Sequence, residues 1–251
     1  MPERTPTISA LEEELAALRV ELDHQRAENA AKERQIDRYA ADLRASSRRE
    51  RQRTRELAQS YMATVRALAG AVEARDAYTA HHADRVSAYG LELAAATGLE
   101  VAEEAELECA FLLHDIGKVA IPDGILFKAG TLDHDEREVM ERHPVIGEDI
   151  IREIPFLEPA RALVRHHHER WDGGGYPDGL AGEAIPLVAR VFALADALDA
   201  LTSDRPYRAA VGIARAREVL ESAQGHFDPT VLEAFATIPD ERIEEIRSHL
   251  A

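Results

Sequence analysis

The sequence predicts an all-α protein, with a long coiled-coil helix over residues 1–60 followed by a helical bundle over residues 61–251. Three observations support this. Leu and Ala dominate the apolar residues, while aromatics are only 5% of the 251 residues. No stretch sustains the period-two alternation of a half-buried strand. Neither Pro nor Gly interrupts Thr7 to Ala69, so nothing in that span breaks a helix.

The first element is a heptad helix. Its a positions read Ile8, Leu15, Leu22, Asn29, Ile36, Leu43, Glu50 and Leu57, and its d positions read Leu11, Leu18, Gln25, Lys32, Tyr39, Ser46, Arg53 and Ser60. The first two heptads form a Leu seam, and Asn29 at an a position is the kind of polar insert that fixes register and favours two strands. A parallel homodimer through this seam is expected; the alternatives are a solvated single helix or one packed on its own domain. At ~1.5 Å per residue, residues 8–60 would make a rod of roughly 80 Å. The arginines from Arg44 to Arg55 are interrupted by acids and carry no aromatics, so they read as a solvated flank rather than a nucleic-acid arm.

Successive helices follow. Tyr61, Val65, Leu68 and Val72 repeat at helical spacing. Val86, Tyr89, Leu91 and Leu93 form the next stretch, ending at Gly98. A third helix is expected from Leu99 to His114, with Leu107, Ala110, Phe111 and His114 on one face and Gly117 stopping it. Pro122, Pro144, Pro155 and Pro159 punctuate the remainder, and PDERIEEIRSHL, about residues 239–250, reads as a short acidic helix that packs on the body.

Composition excludes several classes of function. The net charge is −17, and residues 1–60 hold 12 charges of each sign, leaving 18 basic against 35 acidic residues in 61–251. Such a field repels DNA and anionic lipid, so neither is an expected partner. No apolar run approaches the ~18 residues of a membrane span, and MPERTPTISALEEEL has no signal-peptide core. Cys109 is the only cysteine, which rules out a disulfide framework and a CxxC zinc site. A cytoplasmic location is expected.

Eight of the eleven histidines fall in residues 81–168: His81, His82, His114, His134, His143, His166, His167 and His168. With His114-Asp115 and a later Asp196, they suit Fe, Mn, Zn or Ni. A carboxylate can bridge two cations where an imidazole binds one. Seven side chains including one bridging Asp therefore supply four protein bonds to each of two ions, with positions left for a phosphodiester. No Ser-His-Asp order or activated Cys is visible, and Cys109 sits on an apolar helix face.

At HHADRV, HDIGK, HPVIG, HHHERWDGGGYPDG and ADALDALTSDRPYR the sequence resembles the HD-GYP family of cyclic di-GMP phosphodiesterases, from Tyr61 to Phe235, roughly 70% of the chain. The resemblance implies an HD-type helical bundle that hydrolyses cyclic di-GMP to pGpG or GMP with two divalent ions, Fe or Mn. It implies seven ligands, His82, His114, Asp115, His143, His167, His168 and Asp196. Asp115 would bridge, with His82, His114 and Asp196 on one ion and His143, His167 and His168 on the other. Lys118 is implied beside the scissile phosphate, and Gly175, Tyr176, Pro177, Arg205 and Arg208 at the dinucleotide. Glu169 is expected to orient a ligand histidine from behind, Asp199 to stand close to the site behind its ligands on the same helix as Asp196, and Asp172 to set the turn of the Gly loop. Signalling proteins are possible partners. The alternatives are a nucleotide-binding adaptor with little turnover, or action on another cyclic dinucleotide. His81 stands where the family often has Gly, and Tyr78 where some members have a Glu for a third metal, so two metals are expected. His166 and His134 are expected to face away from them.

Overall fold

The computed structural model describes residues 8–75, 81–99, 104–204, 208–223 and 225–250. Among them no β-strand forms, and the chain divides into two compact units, Met1–Ser60 and Tyr61–Ala251. In the first unit, helix α1 (Ile8–Glu73) supplies all the described structure. Over residues 8–60 its apolar a and d side chains, among them Ile8, Leu11, Leu15, Leu18 and Leu22, are exposed.

The second unit takes the end of α1 and then α2 (His82–Thr97), α3 (Glu104–Leu112), α4 (Asp123–Leu126), α5 (His134–Met140), α6 (His143–Ile151), α7 (Arg161–His166), α8 (Leu187–Thr202), α9 (Ile213–Ser222), α10 (Pro229–Thr237) and α11 (Asp240–His249). Local sequence explains most of these bounds. α2 closes at Gly98, whose N–H meets the carbonyls of Ala94 and Ala95 while the Leu99 N–H reaches back to Ala94, a Schellman-type end. α5 opens with a capping box between Asp133 and Glu136, and α6 and α10 carry Pro in the first turn, where its missing N–H costs nothing. α11 matches the expected C-terminal helix.

The core is continuous. α2 lies along α8, α3 packs on α2 and on the 3-10 turn Pro155–Ala160, and α7 bridges α6 and α8. Phe111 of α3 meets Phe192 of α8 with ring centroids 5.6 Å apart, both rings buried.

The segment after α3 differs from the expectation. Residues 100–103 lie outside the described residues, and α3 ends at Leu112 rather than His114. His114 and Asp115 sit in a turn that leads into a 3-10 helix, Ile116–Ala120. The reason is a tertiary contact at Gly117. A Cβ there would lie 1.9 Å from the His143 carbonyl oxygen and 2.6 Å from the Gly147 nitrogen. Gly117 is therefore the place where the 3-10 turn and α6 touch backbone to backbone, not a helix stop. That contact sets His114-Asp115 beside His143.

This packing predicts opposite signs for two glycine substitutions. Gly117→Ala should destabilise the protein by about 1–3 kcal/mol through forced overpacking. Gly70→Ala, in α1 with open space around it, should stabilise it by about 0.5–1 kcal/mol. Urea denaturation of both variants checks the pair.

Candidate metal centre

Three histidines share one local device. His114 Nδ1 donates to the Phe111 carbonyl at 2.9 Å, His143 Nδ1 to Met140 at 2.8 Å and His167 Nδ1 to Val164 at 2.9 Å. Each ring sits at or just beyond a helix end and uses a carbonyl three residues back. With Nδ1 protonated, each neutral ring presents the lone pair of Nε2. Outward N–H bonds of this kind are the usual support of a metal-binding imidazole.

The three Nε2 atoms converge on Asp115. His114 Nε2 lies 3.1 Å from Oδ2, whereas His143 Nε2 and His167 Nε2 lie 3.2 and 3.7 Å from Oδ1. The two oxygens of one carboxylate thus face two different sets of imidazoles. The His168 ring lies 4.2 Å from His167 and 5.0 Å from His143, and donor atoms of Asp115, His143, His167 and His168 all fall within 4.8 Å of one another.

The other side of the centre is built by α2 and α8. Phe192, Asp196 and Asp199 lie four and three residues apart, on one stripe of α8. Phe192 backs the His114 ring at 4.7 Å. Asp199 accepts His82 Nδ1–H at 2.7 Å and Arg85 Nε–H at 2.6 Å, which turns His82 Nε2 toward Asp196 Oδ1 at 3.6 Å. The rings of His82 and His114 are 5.8 Å apart.

Electrostatics follow from burial and pairing. Burial opposes ionisation of Asp115, but Lys118, with Nζ 2.7 Å from Oδ2, and His114 hold its carboxyl well below the ordinary range. Burial pushes the His167 imidazole down to about 4 and, with the neighbouring rings, pushes His168 well down. Burial also disfavours imidazolium at His114, yet Asp115 and Asp196 raise it. For Asp199, burial is outweighed by His82 and Arg85, and its carboxyl is held low.

A divalent cation fits this donor set. His143 Nε2 and His167 Nε2 face each other at 3.2 Å while both Nδ1 atoms are engaged elsewhere, so two lone pairs point into one space. Asp115 Oδ1 is buried beside them, and no donor among the described residues completes a hydrogen bond to it. Converging imine nitrogens and a carboxylate oxygen repel one another unless a cation lies between them.

The Gly-rich loop closes over the His pair. A Cβ on Gly175 would fall 2.4 Å from the Arg170 nitrogen and 2.5 Å from the His168 carbonyl oxygen, so only glycine lets the loop cross there. Tyr176 then lies over His168, centroids 4.7 Å apart, with Pro177 next to it in the chain. Asp172 accepts the Gly174 N–H at 2.9 Å, as expected of a turn-setting residue.

Other expectations divide. Glu169, expected behind a ligand histidine, instead accepts the N–H groups of Asp178 and Leu180 at 2.8 and 3.0 Å; its imidazole neighbour is His166, at 3.9 Å. The physical reason is that the buried Glu169 carboxylate needs donors, and the part-buried amides of the crossing loop supply them. Arg208 is exposed and donates to the Ala200 carbonyl. Arg205 and Tyr78 lie outside the described residues. His81 and His134 are exposed, pairing with Asp84 and Glu138, and His166 turns toward Asp178 at 3.4 Å. Two supports escaped the sequence reading. Arg85 is one: its place three residues after His82 on α2 was the available signal. The other is the clamp of Arg165 on both oxygens of Asp178, at 2.8 Å each, with Glu148 behind it; no spacing pointed to that.

With this geometry in place, the matches to known proteins can be read. A family model described as HD domain matches residues 49–231. The chain belongs to the HD-domain family. Its HHHERWDGGGYPDG run and its relatives place it in the HD-GYP group. The cyclic di-GMP phosphodiesterase response regulator RpfG of Xanthomonas campestris pv. campestris is 43% identical over 174 residues, covering 68% of this chain and 46% of that protein. The 3'3'-cGAMP-specific phosphodiesterase 2 of Vibrio cholerae is 40% identical over 179 residues, covering 70% and 34%. The chain therefore spans less than half the length of these curated relatives. Among solved structures, the HDG"Y"P protein Bd1817 of Bdellovibrio bacteriovorus matches with a TM-score of 0.50 at 21% identity, covering 67% of this chain and 52% of that one. This last likeness concerns the HD-type fold alone.

The buried His82–Asp199–Arg85 group yields a prediction. Asp199→Ala removes the buried acceptor shared by His82 and Arg85 and should destabilise the metal-free protein by about 3 kcal/mol, read by urea denaturation. Asp199→Asn should weaken metal binding about ten-fold, read by metal titration.

Proposed function

We propose that this chain is a metal-dependent phosphodiesterase that hydrolyses a cyclic dinucleotide, cyclic di-GMP foremost, to pGpG or GMP. The observation that carries this reading is the divided environment of Asp115, with one oxygen toward His114 and the other toward His143 and His167. That division supports a pair of ions, Fe or Mn, with His82, His114 and Asp196 at one, His143, His167 and His168 at the other, and Asp115 shared. Bound divalent cations supply Lewis acidity toward the scissile phosphate and the attacking water.

The protein's own groups do the rest. Asp199 and the Phe111, Met140 and Val164 carbonyls hold the imidazoles in the tautomer that ligates. Lys118 keeps Asp115 ionised and offers an ammonium to charge building on the phosphoryl oxygens. Tyr176 provides a ring face for a base or ribose beside the centre, with Gly175 and Pro177 shaping the loop that carries it, and Arg205 and Arg208 are assigned to the phosphates or guanine. One water adds across a P–O bond to open the ring, and a second gives mononucleotides. No covalent nucleophile is required, and burial pushes the Cys109 thiol up to about 11, where it is inert at neutral pH.

A second reading, a 3'3'-cGAMP substrate, is favoured by the relative of that name at 40% identity. The N-terminal unit is assigned to a parallel homodimer, supported by the exposed Ile8, Leu11, Leu15, Leu18 and Leu22.

Anaerobically loaded with Fe or Mn, the protein should release pGpG or GMP from cyclic di-GMP. Turnover of 3'3'-cGAMP alone would shift the substrate to the second reading, and tight binding without product would make the protein an adaptor. Asp115→Ala should abolish turnover and lower the bound metal. Lys118→Ala should keep its metal and lose about 100-fold in kcat, of the order found when one transition-state donor is removed. Leu15→Glu with Leu18→Glu should convert the dimer to monomer by light scattering.

A further inference from the structure

His114, His143 and His167 are each steadied by a carbonyl of their own segment. His82 is held instead by Asp199 of α8, and because it stands at the first residue of α2, its position depends also on how that helix begins. The residue before it, His81, has φ 66° and ψ 16° and gives no side-chain cap. A helix start leaves its first N–H groups without intrahelical acceptors, and here the second helical residue, Ala83, is buried.

The missing acceptor comes from a different helix. Glu73, in the last turn of α1, accepts the Ala83 N–H through Oε1 at 2.7 Å. Around this bond the end of α1 is tied to both sides of the centre. Arg75 donates to the Val119 carbonyl at 2.7 Å and the Ile121 carbonyl at 3.4 Å, just beyond His114-Asp115. Arg66 pairs with Asp84, two residues after His82, and with Glu108. A cavity of about 20 Å³, the size of a single water, is bordered by Val72, Glu73, His82, Ala83, His114 and Asp115 and lies between the end of α1 and the two ligand segments.

We infer that Glu73 is a positioning residue for His82: by capping α2 from α1, it fixes where His82 Nε2 stands relative to Asp196 and His114. The inference rests on the reading of His82 as a metal ligand. Glu73 is not among the seven residues assigned to the ions, and the inferred role runs through its bond to the Ala83 amide.

The test compares Glu73→Gln, which keeps a carbonyl oxygen for the amide, with Glu73→Ala, which removes it. Anaerobic Mn titration and amide hydrogen exchange at Ala83 are read on the full chain. Glu73→Gln should bind Mn as the unsubstituted protein does, and Glu73→Ala about ten-fold more weakly with exchange protection lost at Ala83. Glu73→Asp, one methylene short, gives the same reading if the alanine variant does not fold. Equal weakening in Glu73→Gln and Glu73→Ala would overturn the inference by making the charge, or direct ligation, the cause. Unchanged Mn affinity in Glu73→Ala would overturn it as well. Failure of the unsubstituted protein to bind Mn would instead sink the metal-centre reading, and retained protection at Ala83 in Glu73→Ala would still overturn the cap independently of any metal.

Discussion

The structure turns on one largely enclosed carboxylate. Asp115 carries a negative charge on a side chain only 16% exposed, so its desolvation must be offset by direct partners. Lys118 supplies one at 2.7 Å, and the imidazoles of His114, His143 and His167 surround the rest. The backbone contact of Gly117 with α6 brings His114-Asp115 beside His143. The chemistry and the packing therefore meet at the same few residues.

From that point the supports spread in layers. Carbonyls at Phe111, Met140 and Val164 and the Asp199 carboxylate set the tautomers of four rings. The acidic excess of the body, which repels an anionic ligand at long range, is countered locally by Lys118 and by donor groups suited to cations. The Gly-rich loop is held at its base by Glu169 and at its far side by Arg165 on Asp178, so Tyr176 is carried by a braced segment rather than a free turn.

Much of this was legible in the chain itself. The density of histidines, His114-Asp115 and the glycines beside Tyr176 marked the centre, because imidazole and carboxylate in such numbers serve little purpose in an ordinary core. Asp199 was legible only as a residue standing close to the centre, from its position three residues after Asp196; its pairing with His82 came from the structure. Glu169 was misread because proximity in sequence to His168 suggested a histidine, whereas the loop's own amides claimed its oxygens. The helix expected to run through His114 stops at Leu112, since no local propensity announces a contact with residues thirty positions later. Arg205 and Tyr78 fall outside the described residues.

The sequence by itself determined the helical class, the family and the identity of the polar residues at the centre, because periodicity and residue type are local properties. Tertiary structure alone decided which oxygen of Asp115 faces which imidazoles, that Gly117 is a contact rather than a stop, and that Glu73 of α1 caps α2. Those outcomes depend on distances between segments far apart in the chain, set by packing and by the need of buried amides and charges for partners.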